Sequence, residues 1–130
     1  MTAFILFGHG SRVESANEAV RTAARQLAQA GGHAVEPAFL ELGDPLLAGA
    51  VDRLVQQGAN SIVVIPYFLT LGTHLQRDLP QLVSQASALH GSRVSITVTP
   101  PLDGHPALVS ALLDRAQTAL AGGPPVSAAG

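Results

Sequence analysis

Four short apolar runs shaped like buried strands alternate strictly with four stripes of helical spacing along the 130 residues. This order constrains the fold more than any other feature of the chain. Parallel neighbouring strands need a right-handed crossover, and a helix supplies one that packs back on the sheet. The expected architecture is therefore a three-layer αβα domain around a four-stranded parallel sheet, with strand order 2-1-3-4.

The first run, Ala3 to Phe7, is continuously apolar and stops at Gly8, as suits a strand covered on both faces. Ser15 with Glu18 has the form of a capping box before Val20, Ala23, Ala24, Leu27 and Ala30, a helix expected to end at Gly31-Gly32. His33 to Leu40 alternates but contains Pro37, which assigns this second strand to an edge. Asp44-Pro45 predicts an N-cap and first turn for the helix through Leu47, Ala50, Val51, Leu54 and Val55. Ser61 to Pro66 is the third strand. Asp78 and Pro80 predict the start of a third helix, through Leu82, Val83, Ala86 and Leu89 to His90-Gly91. Arg93 to Thr99 alternates as the fourth strand, and Pro106 opens a last helix through Val109, Leu112, Leu113, Ala116 and Leu120. Residues 1–121 form a single domain in this reading, and the Gly- and Pro-containing tail, 122–130, is expected to be disordered.

Composition removes several function classes. With no cysteine, there are no disulfides, thiolate metal sites or cysteine nucleophiles, so any metal must be held by His, Asp or Glu. The seven basic residues are all arginine and are outnumbered by nine acids. No basic cluster tracks a phosphate backbone, so nucleic acid is not an expected partner. No apolar stretch approaches the ~20 residues of a spanning helix. The N-terminus lacks a basic leader and a cleavage site. A cytoplasmic protein without a membrane partner is the expectation.

In the order 2-1-3-4 the chain reverses its direction of travel between strands 1 and 3, and ligands in such sheets bind beyond the carboxyl ends of the strands at that point. His9, between Gly8 and Gly10, leaves strand 1, and His74 lies shortly beyond strand 3. Glu41 leaves strand 2 and His105 follows strand 4, so all four are expected on one edge of the sheet. Two imidazoles and a carboxylate with open positions suit a borderline divalent metal.

Simpler readings stand beside these. His9 is either a turn residue or a ligand, and the flanking glycines favour the ligand. His74 alone is equally a polar residue of a helix's first turn, and Glu41 an exposed loop carboxylate. His105 reads as a helix-start residue, while His33 and His90 read as solvated. Asp78 is a cap or a partner for the His74 ring. Arg12 and Arg77 are surface charges or partners for carboxylates. Tyr67, Phe68, Leu69 and Leu71 are packing residues, or a surface for a flat apolar ligand or a second subunit.

The motifs His9-Gly-Ser-Arg12 with Asn17 behind it, Phe39-Leu-Glu41 with Pro45, Pro66-x-Phe68-Leu-x-x-Gly72-x-His74-x-x-x-Asp78-x-Pro80, and Pro101-Leu-x-Gly-His105-Pro106 together resemble the short sirohydrochlorin chelatases of the class II tetrapyrrole chelatases. The resemblance spans nearly the whole chain apart from the tail. It implies a chelatase-like half-domain that inserts Co²⁺ or Fe²⁺, with Ni²⁺ as a further candidate, into sirohydrochlorin in cobalamin or siroheme biosynthesis. Neither ATP nor an organic cofactor is implied, and the divalent metal is a substrate. His9 and His74 match the family's metal-binding and catalytic histidines, and Glu41 becomes a candidate third ligand or proton acceptor. Gly10, Ser11, Arg12, Phe68, Leu69, Gly72 and Arg77 become candidate macrocycle-binding residues. Longer relatives carry two such halves, and a single half implies a homodimer. Two rival functions are a metal or tetrapyrrole carrier without turnover and a histidine phosphatase. The second expects arginine immediately before the histidine, where Gly8 stands.

Overall fold

The computed structural model describes residues 1–123. Strand β1 (Thr2–Gly8) lies inside a parallel sheet of four strands, between β2 (Ala34–Phe39) and β3 (Ser61–Pro66), with β4 (Ser95–Val98) beyond β3. The order β2-β1-β3-β4 is the expected one, and all three pairings are parallel. Helices α1 (Glu14–Gly31), α2 (Leu47–Gln56), α3 (Thr73–His90) and α4 (Pro106–Leu120) follow the four strands in turn.

The pleat divides each strand between two faces. Ala3, Ile5 and Phe7 point to the face shared with Ile62 and Val64, and all five are fully buried. Leu47, Ala50, Val51 and Leu54 of α2, with Leu75, Leu79 and Ala86 of α3, close this side into the main core. Each fully buried Leu or Ile there contributes roughly 1.5–3 kcal/mol. On the opposite face α1 packs over β1 and β2. Pro37 lies in β2 at the sheet edge, as its missing N–H requires. The main-chain N–H of Phe39, two residues on, points away from β1 and donates to the Pro45 carbonyl at 2.9 Å.

Helix starts differ most from the sequence reading. α1 begins at Glu14, so Ser15 lies within its first turn instead of capping it. The cap position is Val13, whose N–H donates to Ser11 Oγ at 3.0 Å. α2 begins at Leu47, and the Asp44–Pro45 peptide is cis, so Asp44 is not its N-cap. Pro45 instead belongs to a turn that closes back on β2. α3 begins at Thr73, where Gln76 N–H donates to Gly72 O at 3.0 Å, and Asp78 and Pro80 therefore sit inside the helix. Pro80 leaves one interior carbonyl without its usual donor. β4 is shorter than expected because Gly91–Arg93 forms a 3₁₀ turn.

α4 has the expected helical stripe, but no residue of it is buried. Val109, Leu112, Leu113 and Leu120 are 68%, 69%, 56% and 89% exposed, and α4 makes no extensive packing contact with another element. From residue 124 onward, the expected disordered tail lies outside the described residues. Among the described residues, no helix is long and apolar enough to cross a membrane.

Candidate functional site

The four strand exits are laced together by main-chain hydrogen bonds along the carboxyl edge of the sheet. Leu40 N–H donates to Gly8 O at 3.0 Å and Glu41 N–H to His9 O at 3.2 Å, which carries the β1–β2 pairing past the strand ends. Tyr67 N–H donates to Phe7 O at 2.8 Å, joining the exits of β3 and β1. Leu102 N–H donates to Phe68 O at 2.9 Å and Asp103 N–H to Leu69 O at 2.8 Å, which ties in the exit of β4. His9, Glu41, Phe68, Leu69 and Asp103 thus sit on adjoining, mutually bonded loops.

Two residues hold the first of these loops in shape. Gly10 has φ +91°, and a Cβ there would stand 1.6 Å from the Glu41 carbonyl oxygen, so only glycine allows the two exits to approach this closely. Asn17, 2% exposed, is the buried polar hub behind the loop. Its Oδ1 accepts from Ser11 N–H at 2.9 Å, and its Nδ2 donates to Ser11 O and to Leu42 O, each at 2.8 Å. Leu42 adopts φ 55°, which turns its carbonyl toward this amide. Asn17 also reaches Glu14 Oε2 at 3.3 Å. The Glu14 carboxyl is held below its ordinary value of 4.5, chiefly by the hydrogen bond from Arg21 and then by that from Asn17.

Both candidate histidines are exposed at this edge. The His9 ring stands edge-on to Phe68 with centroids 6.4 Å apart, and its Nδ1 lies 3.4 Å from Gly10 O. A carbonyl can only accept, so this contact is a hydrogen bond when the proton is on Nδ1, the tautomer that keeps the Nε2 lone pair free. His74 occupies the first turn of α3, with Nδ1 3.4 Å from Arg77 Nη2. A guanidinium can only donate, so His74 Nδ1 is the acceptor. Asp78 lies 3.5 Å from Arg77 Nε and acts on that guanidinium, not on the His74 ring.

Gly72 is the N-cap of α3, and Arg12 and Arg77 are exposed. Ser11 shapes the loop: its backbone is bound to Asn17 and its hydroxyl accepts from Val13 N–H. Phe68 is half-buried against Phe7, while Tyr67 and Leu69 are 42% and 65% exposed.

The expected convergence of three or four ligands is not reached. Among the described residues, no three of the His, Asp and Glu side chains form a group that could hold a metal ion. His105 is engaged elsewhere: its Nδ1 accepts from Ala107 N–H at 3.0 Å and caps α4. His90 is not solvated as expected, but binds Asp52 Oδ1 at 2.7 Å across α2 and α3. His33 is exposed beside the Phe4 ring. The Asp52–His90 pair and the Leu42 turn carry no local sequence signal, because each depends on a partner distant in the chain.

Three comparisons bear on the site. A family model described as CbiX matches residues 3–119. The chloroplastic sirohydrochlorin ferrochelatase of Arabidopsis thaliana is 37% identical over 117 residues, covering 89% of this chain and 52% of that protein. The sirohydrochlorin cobaltochelatase of Sulfolobus acidocaldarius is 30% identical over 122 residues, covering 92% of this chain and 94% of that protein. Among solved structures, the sirohydrochlorin chelatase SirB from Bacillus subtilis subspecies spizizenii in complex with cobalt matches with a TM-score of 0.82 and 27% identity, covering 89% of this chain and 50% of that chain. The chain spans 52–59% of the length of the first curated relatives it matches.

Proposed function

The chain belongs to the CbiX family, and from that premise we propose that it is an ATP-independent sirohydrochlorin chelatase, a lyase-class enzyme inserting Co²⁺ or Fe²⁺ into the macrocycle. The observation that carries the proposal is the placement of His9 at the exit of β1 and of His74 in the first turn of the helix that follows the adjacent strand β3, in a chain whose relatives are named as chelatases for both metals.

Insertion of a divalent metal displaces two pyrrole N–H protons, so the site must hold a cation and then accept protons. Neutral imidazoles can do both. In the proposed mechanism His9 offers Nε2 to the metal while Nδ1 stays on the Gly10 carbonyl. His74 joins when Arg77 moves off its Nδ1, and a carboxylate at the macrocycle's rim is a stronger partner for that guanidinium than a neutral ring nitrogen. Arrival of the macrocycle would thereby release the second imidazole. Two exposed nitrogens without a third protein ligand suit an ion that must be passed on, since few ligands hold it less firmly.

Glu41, whose main chain is bonded to His9, is the proposed proton acceptor. Phe68 and Leu69 form the proposed apolar wall for the ring, and Gly10, Ser11, Arg12, Gly72 and Arg77 its polar border. We further propose a homodimer acting in the cytoplasm, with its product entering cobalamin or siroheme synthesis and with no organic cofactor. Ni²⁺ is included as a trial substrate.

The test is anaerobic incubation of purified protein with sirohydrochlorin and Co²⁺, Fe²⁺ or Ni²⁺, following the absorption spectrum of the macrocycle. Catalytic conversion is expected, and His9→Ala and His74→Ala should each largely abolish it. Conversion no faster than without protein, for every metal, would refute the activity. Stoichiometric binding without turnover would instead establish a carrier. A Glu41→Gln variant with unchanged rate and metal affinity would remove Glu41 from the mechanism.

A further inference from the structure

The two histidines of the proposed site are not equivalent in the free protein. The polar partner of the His9 ring is neutral, the Gly10 carbonyl oxygen 3.4 Å from Nδ1. With the proton on Nδ1, that partner leaves the Nε2 lone pair free for a metal. The His74 ring faces a cation instead, with Arg77 Nη2 3.4 Å from its Nδ1. This contact is a hydrogen bond only with Nδ1 as the acceptor, and a neutral ring then carries its proton on Nε2. A metal ion needs a nitrogen lone pair. With one nitrogen covered by the guanidinium and the other bearing the hydrogen, His74 has none to give.

The helix keeps Arg77 in this place. It follows His74 by three residues on α3, so the two side chains are neighbours on one face. Asp78 Oδ1 lies 3.5 Å from Nε, a different nitrogen of the same guanidinium. Both contacts are long, and the Arg77 side chain is 68% exposed, so the guanidinium is restrained only weakly. A carboxylate arriving from outside offers two charged acceptor oxygens, which a guanidinium prefers to a single neutral nitrogen.

We infer that Arg77 masks His74 against free metal ions until a carboxylate of the macrocycle draws the guanidinium away, so that the macrocycle binds first and the metal second. This order presupposes the chelatase reading and makes Arg77 a positioning residue for it. Coupling of this kind is reciprocal, so an ion that engages His74 also frees Arg77 for the macrocycle. The mask bears on which ion is taken up. Two imidazoles open at all times would favour Cu²⁺ over Co²⁺ or Fe²⁺, following the usual order of ligand affinities. His9 alone holds each of these ions less firmly, and the second nitrogen becomes available only where a macrocycle is present to receive the ion.

The test measures Co²⁺ binding to the full chain without macrocycle, by competition with a chromophoric chelator. His9→Ala should weaken binding roughly 10-fold or more, whereas His74→Ala should leave it nearly unchanged. Arg77→Met keeps the reach of the side chain but removes its donors, and should tighten Co²⁺ binding roughly 10-fold. Adding His74→Ala to Arg77→Met should abolish that gain. Nitrogen-15 NMR of the rings gives an independent readout: His74 should carry its proton on Nε2 in the wild type and populate both tautomers in Arg77→Met. All three side chains are exposed, so circular dichroism should be the same for every variant. Equal losses for His9→Ala and His74→Ala would overturn the mask and leave the metal site standing. A gain from Arg77→Met that persists without His74 would also overturn it, since the guanidinium would then act by charge alone. A wild-type His74 protonated on Nδ1 would do the same. Co²⁺ binding indifferent to both histidines would overturn the proposed site together with the mask.

Discussion

Replacing Asn17 by alanine should cost more than any other single polar substitution at the strand exits. The side chain is 2% exposed and makes three hydrogen bonds of 2.8–2.9 Å, to Ser11 N–H, Ser11 O and Leu42 O. At about 1 kcal/mol each, their loss amounts to about 3 kcal/mol, since alanine leaves the three backbone groups without that partner. Set against a typical total of roughly 5–15 kcal/mol, this is a large fraction, and it corresponds to a fall in melting temperature of roughly 10–15 °C. Urea unfolding followed by circular dichroism measures the loss directly, with an unchanged slope marking a true stability change. Asn17→Asp provides a check on sign. Its carboxylate would face the Ser11 and Leu42 carbonyl oxygens in a buried setting, which raises its folded pKa above the unfolded one. The penalty then appears as pH rises above the unfolded value near ~3.9, so this variant should stand closer to wild type in mild acid than at neutral pH. A loss below about 1 kcal/mol for Asn17→Ala, at unchanged slope, would refute the assignment of Asn17 as the hub.

Gly10→Ala places a Cβ 1.6 Å from the Glu41 carbonyl oxygen at φ +91°. It should cost about 1–3 kcal/mol and lower the chelation rate together with stability, as read by urea unfolding and the spectral assay. Arg77→Ala should raise KM for sirohydrochlorin roughly 10-fold through a lost charge-assisted hydrogen bond, with a smaller change in kcat; an unchanged KM would remove Arg77 from the macrocycle's border. The Glu14 and Glu18 carboxyls are held below 4.5 by hydrogen bonds, Glu14 chiefly from Arg21 and Glu18 chiefly from Arg25. Their depressed folded values mean that the stabilisation is present above ~4.5 and lost as pH falls through them. Carboxyl NMR titration should therefore show a higher Glu14 midpoint in Arg21→Ala, and an unchanged midpoint would refute the pairing.

Sheet order, the edge position of β2, the placement of His9 at the exit of β1 and that of His74 beyond β3 were all legible in the sequence. They follow from alternation and from Pro37, features that act through whole strands. Helix starts were less legible because Pro45 and Pro80 each admit more than one role. Pro45 enters a cis turn whose carbonyl serves β2, and Pro80 is carried inside α3 once Gly72 opens that helix earlier. His90 pairs with a residue 38 positions away, which no local rule could find. The stripe on α4 read correctly as helical, but periodicity states only that a face wants cover and not whether the same chain supplies it.

The outer edge of β2 has a consequence for how the protein behaves when concentrated. Of the N–H groups on that edge, Phe39's is taken by the Pro45 carbonyl and the position two residues earlier is Pro37, which has none. Between Val35 and the end of the strand, no donor is left for an incoming strand to bond. An exposed edge otherwise templates fibril growth by addition of strand to strand, so β2 is poorly suited to nucleate amyloid even though the other strands of the sheet are rich in valine, isoleucine and phenylalanine.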